Sequence, residues 1–198
     1  MLTKLTRADG TSKHGSIHWA VGKTVEVPFA EQGQTLCRPG LLHVYEGGPE
    51  LAALLDPIHA DLGPGARCFE VEGVLVVRDS PLKAGGHSFY VLRELALPVV
   101  TPVIAAWFAI HCAHAVHENL AWLEWSMGWL SGQDRSPMTA ACASTMCARS
   151  PAARAASRAA ASKTQAAAEA AEAAAWAVDS APGLDLNSLA IRAFQGDL

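Results

Sequence analysis

No part of this sequence concentrates basic charge: 15 lysines and arginines are dispersed among 19 acidic residues, and the formal net charge is −4. Nucleic-acid binding through phosphate neutralisation is therefore unsupported. Cysteine is sparse, and its five copies, Cys37, Cys68, Cys112, Cys142 and Cys147, form an odd set with no CxxC spacing. That argues against a disulfide framework and a zinc knuckle, and predicts reduced, mostly buried thiols. The opening "MLTKLTRADGTSK" has no apolar run after its basic residues, so neither a secretory signal nor a transit peptide is readable, and the cytoplasm is expected. There is no GxGxxG, no Walker A loop and no GxSxG elbow. Formal charge is also missing from Leu95 to His117, but Pro98 and Pro102 interrupt that run and no Lys or Arg cluster flanks it. A buried core helix is expected there rather than a membrane span.

What is present is a globular composition, 51% hydrophobic and 17% charged, over 198 residues. That length suits one core with an attachment. The first half reads as β-rich: "SIHWAVGKTVEVP", "TLC", "LLHVYE", "ARCFEVEGVLVVRD" as a hairpin or bulged pair around Gly73, and "SFYVLREL". "KAGGH", Lys83 to His87, reads as a turn between strands. "GGPELAALLDPIHADLG" predicts a helix with Pro49 in its first turn and Leu51, Leu54, Leu55 and Ile58 on its apolar face, kinked or shortened by Pro57.

After Pro98 the character becomes helical. Thr101, Ser136 and Ser150 each precede a proline, which places a capping hydroxyl before the residue favoured at the first helical position. Helices are predicted from about residues 102, 137 and 151. "NLAWLEWSMGWL" sets Trp122, Trp125 and Trp129 on a buried stripe. In "PAARAASRAAASKTQAAAEAAEAAAWAV" the larger polar residues recur every three or four positions, from Arg154 to Glu172, so one long helix with an alanine face is predicted. Its arginines lie toward the start and its glutamates toward the end, opposite to the dipole's preference, which calls for support from a neighbour helix or a second copy. The chain closes with a short amphipathic helix burying Leu186, Leu189, Ile191 and Phe194. The expected architecture is α+β: a β-rich domain with one helix over residues 1–98, then a helical region over 99–198.

Two constellations carry possible chemistry. In "LCRPGLLHVYEGGPE", strand alternation puts His43 and Tyr45 on one face, where an imidazole and a phenol can hydrogen-bond a ligand or form part of the core. Cys37, Gly40, Gly47 and Gly48 mark the turns and edge around them. In "HCAHAVHE", helical spacing lets His111, His114 and Glu118 share a face suited to zinc or iron, or simply to solvent.

"WAVGKTVEV", "LCRPGLLHVYEGGPELAALLDPIHA", "CFEVEGVLVVRDSPLKAG" and "LRELALP" resemble a group of uncharacterised phage and prophage proteins, and the helical half resembles the C-terminal halves often attached to that domain. The resemblance implies a phage-borne or prophage-borne protein of the host cytoplasm. "GLLHVYEGGPELAAL" is also similar to the strand and helix of ADP-ribosyltransferases. That likeness implies NAD and a site drawn from His18 or His43, Tyr45, and Glu70, Glu72 or Glu94, with His43, Tyr45 and Glu72 as the preferred set. The leading expectation is a non-enzymatic protein with no cofactor that binds a host or virion protein, and that self-associates through the alanine-rich helix. The alternatives are a small ADP-ribosyltransferase-like enzyme and a metal-binding protein.

Overall fold

The computed structural model describes residues 1–13, 17–28, 31–60, 62–79, 82–147 and 149–196, and the chain forms two compact units, Met1–Pro98 and Val99–Leu198. It is an α+β protein. The first unit contains strands β1 (Leu2–Thr6), β2 (Thr24–Glu26), β3 (Leu42–Glu46), β4 (Arg67–Gly73), β5 (Val77–Asp79), β6 (Lys83–Gly86) and β7 (Ser88–Leu95), with helix α1 (Pro49–His59) between β3 and β4. The sheet order is β2-β7-β4-β1-β3-β6-β5, with every neighbouring pair antiparallel.

Only His87 separates β6 from β7, yet β6 pairs with β3 and β5 while β7 pairs with β4 and β2. Residues 67–79 and 83–95 are therefore one long hairpin, bent in the middle, and the sheet curls until β4, β1, β3 and the β6–β7 strand form a closed circuit. The bend depends on glycine. A Cβ at Gly86 would strike the Val74 carbonyl and the Phe89 ring, and one at Gly73 would strike the Ser88 carbonyl and the same ring. Inside the curl lie Trp19, Leu42, Val44, Phe69, Val71, Ala84, Phe89 and Val91. On the other face Thr3, Leu5, Tyr45 and Cys68 are buried, as are Leu51, Leu54 and Leu55 of α1, which packs on β1.

Several expectations are corrected here. "TLC" is a turn and "KAGGH" is mostly strand, because its two glycines allow the close crossing that the bend requires. Among the described residues of "SIHWAVGKTVEVP" only Thr24–Glu26 is a strand, and Ser16 lies outside the described residues. The central strand β1 lies in a segment not read as a strand at all. The irregularity in β4 falls between Glu70 and Val71. Ile58 is exposed, since α1 ends two residues after Pro57.

The second unit comprises α2 (Pro102–His114), α3 (Leu120–Leu130), α4 (Pro137–Thr145), α5 (Pro151–Ala161), α6 (Ala166–Ser180) and α7 (Leu186–Gln195). Its helix starts follow local chemistry: the hydroxyls of Thr101, Ser136 and Ser150 accept from the backbone N–H of Ile104, Thr139 and Ala153. Helix α2 is the core helix, with Ala105–Ile110 at 1% exposure or less, and it packs on α3, α5, α6 and α7. Among the described residues no helix is long and apolar enough to cross a membrane.

The alanine-rich segment is two helices rather than one. The Ser162 hydroxyl accepts from the N–H groups of Thr164 and Gln165 and turns the chain, so α5 and α6 pack on each other and on α2. The break also resolves the charge order. Arg158 now stands in the last turn of α5 and Glu169 in the first turn of α6, where the dipoles favour them, and Arg158 bonds both Glu169 and Glu172. The alanine faces that suggested a second copy are covered within the chain. In α7, Leu186 is buried with Ala190 and Ala193, whereas Leu189, Ile191 and Phe194 are half-buried.

Candidate functional site

The densest group of chemically able side chains gathers where β3 begins. The loop from Glu31 to Leu41 is closed on itself by the Gly33 N–H donating to the Gly40 carbonyl at 2.9 Å. It lies over β6: Leu36 comes against Gly85, and the His87 ring bonds the Gly33 carbonyl at 2.7 Å. At its turn Cys37 is exposed and holds φ +62°, the one described non-glycine residue in the left-handed region. The Cys37 N–H donates to His43 Nε2 at 3.1 Å, which leaves a neutral His43 ring with its proton on Nδ1. Lys83 Nζ, from β6, donates to Cys37 Sγ at 2.8 Å.

Behind this pair, Tyr45 stacks on His59 of α1 with ring centroids 5.6 Å apart. Burial raises the Tyr45 phenol far above its ordinary value, with nearby Asp56 adding to the effect. Burial, followed by the neighbouring charge of Lys83, lowers His59 to about 4. Its Nδ1 is buried without a hydrogen-bond partner. Lys4 of β1 reaches the His43 carbonyl at 3.0 Å and stands 5.0 Å over the Trp19 ring, and burial lowers it to about 8 despite Asp56.

Alternation does put His43 and Tyr45 on one face of β3, but Tyr45 is only 6% exposed and engaged by His59. Strand β3 is not an edge, because β1 and β6 flank it. Gly48 serves as the N-cap of α1, immediately after Gly47. The residues of the transferase-like set come from separate elements of the sheet. Strand β1 separates β3 from β4, and Glu72 lies with Tyr90 on the far part of the hairpin. Glu70 and Glu94 are held by Arg93 and Arg67, and His18 belongs to a bridge with Thr11.

The histidine cluster is also corrected. Helix α2 ends at His114, so the helical step from His114 to Glu118 is not made. The His111 ring lies 3.9 Å from that of Trp107, His114 bonds Ser126 Oγ at 2.7 Å, and His117 packs edge-on to Trp122. Burial lowers His111 to about 4 and depresses His114 and His117 as well. Among the described residues no three His, Cys, Asp or Glu side chains are grouped so as to hold a metal ion. Of the tryptophan stripe, Trp122 and Trp129 are buried, and Trp122 Nε1 donates to Ser157.

Sequence reasoning missed Lys83 and His59, which reach Cys37 and Tyr45 only through the sheet and α1. It also missed a groove of about 670 Å³ on the outer face of the bent hairpin. There Thr24, Tyr90 and Glu72 stand side by side across β2, β7 and β4, beside Val74 and Val76. Val74 is 79% exposed, Val76 44% and Tyr90 41%. The only sequence signal was "GVLVV", an apolar run without alternation. Compared with protein-family models, curated proteins and solved structures, the chain matches none.

Proposed function

We propose that this is a non-enzymatic binding protein, phage- or prophage-encoded and acting in the host cytoplasm, that docks an extended segment of a host or virion protein in the groove of the bent hairpin. The observation that carries this reading is the row of exposed apolar side chains, Val74, Val76 and Tyr90, in a concave site beside the short outer strand β2. Lys23, Val25 and Val27 make the backbone contacts of this segment with β7 and its start, so the backbone groups of Thr24 and Glu26 point outward. An incoming strand can pair there while alternate side chains enter the groove. Glu72, which lines the groove, and Glu26, which accepts from the lining Ser88, favour a segment carrying basic residues between apolar ones.

A photoreactive amino acid placed at Tyr90 tests this reading in extracts of infected cells and in disrupted virions. The expected result is a defined adduct with one protein, abolished by Val74→Asp while the circular dichroism spectrum stays unchanged. An adduct that forms equally with Val74→Asp, or no adduct from either source, overturns the reading.

A further inference from the structure

We infer that Cys37 and Lys83 form an oxidative covalent switch, a lysine–cysteine crosslink through one oxygen atom (N–O–S), which fastens the loop of residues 31–41 to β6. This inference is independent of the groove and its occupant. The two side chains come from segments 46 residues apart, and the Lys83 Nζ to Cys37 Sγ distance of 2.8 Å leaves room for a single bridging atom. Cys37 is an exposed residue, which opens it to a small oxidant. The pair is held from both sides. His43 fixes the Cys37 backbone in its left-handed conformation, and pairing of Asp79 with Lys83 places the lysine at the start of β6.

The other thiols provide the contrast. Cys68, Cys112 and Cys147 are buried, and burial raises all three above the ordinary thiol value, to about 12 for Cys68 and about 11 for Cys147. Cys142 is exposed, but its thiol has no lysine among its described hydrogen-bond partners.

The oxidant is hydrogen peroxide. In the first step the Cys37 sulfur attacks a peroxide oxygen, the O–O bond breaks, and the thiol becomes a sulfenic acid with release of one water. In the second step the Lys83 ammonium gives one proton to solvent, and the amine, the sulfenic acid and a second peroxide give S–O–N and two waters. The nitrogen loses two electrons, which the peroxide accepts, and the displaced N–H and O–H protons leave in the water formed. Four equivalents of a thiol reductant cleave the bridge, releasing its oxygen as water, forming two reductant disulfides and returning both side chains.

Mass spectrometry of the whole chain after mild peroxide tests this. The crosslink adds one oxygen and removes two hydrogens, a gain of about 14 Da, whereas sulfenic and sulfinic acids add about 16 and about 32 Da. The expected result is a reductant-reversible gain of about 14 Da. It should map to a joined peptide pair containing Cys37 and Lys83, and be absent in Lys83→Arg, which keeps the cation. Gains of about 16 or about 32 Da alone in the wild type, or a joined peptide that uses Cys142 or another lysine, overturn the proposal. Because the wild-type peptide map decides the matter, it holds whether or not the variant folds.

Discussion

The two units solve the problem of burying a core with opposite materials. The N-terminal unit fills a curled sheet with bulk, Trp19, Phe69, Phe89 and Leu42, and leaves polar and reactive groups at the seams where loop and helix meet the sheet. The C-terminal unit removes bulk: most alanines along α2, α5 and α6 are buried at 2% exposure or less, and helices approach closely around a few tryptophans and histidines. Density is reached in the first case by side-chain volume and in the second by backbone proximity. The two should therefore fail under opposite mutations.

The largest effect is expected for Phe69→Ala, which leaves a cavity at a fully buried position facing the closed circuit. A loss of about 3–5 kcal/mol in urea unfolding is expected. If the loss were under about 1 kcal/mol, the curled core would be loosely packed and the contrast would weaken. Next comes the converse change, Ala156→Leu in α5, where a fully buried methyl faces its neighbours. Added volume should cost about 1–3 kcal/mol and lower the melting temperature of the second unit's transition, while the equivalent enlargement of the half-buried Ala160 should cost far less.

The smallest effect concerns acid. His111, half-buried against Trp107, has its pKa lowered to about 4 from 6.5. The unfolded chain therefore takes up this proton first, and stability is present above pH 6.5 and lost as pH falls toward 4. Allowing for solvent screening, the loss from this group is on the order of 1–2 kcal/mol. His111→Phe keeps a ring against Trp107 and should flatten the dependence of unfolding free energy between pH 6.5 and 4.5. An unchanged slope would assign the acid sensitivity to His114, His117 or His59, whose pKa values are lowered in the same direction.

Legibility follows the same division. The starts of α2, α4 and α5 were readable because a hydroxyl caps an N–H three residues away and proline fixes the next position. That chemistry is complete within a few residues. The split of the alanine-rich segment was half visible: the reversed charge order was a true anomaly, but its resolution required Arg158 to meet glutamates from the following helix. The candidate site was less legible. His43 and Tyr45 share a face by alternation, yet what each does depends on Cys37, Lys83 and His59, brought in by a loop, a second strand and a helix.

By itself, then, the sequence determined the α+β class and the helix origins, because periodicity and capping act between residues a few positions apart. Tertiary structure alone decided that Leu2–Thr6 becomes the central strand, that one hairpin bends to close the sheet, and that an amine meets a thiol at Cys37. Each of these is a pairing between distant segments, fixed by the register and curvature of the whole sheet rather than by any preference of the residues that meet.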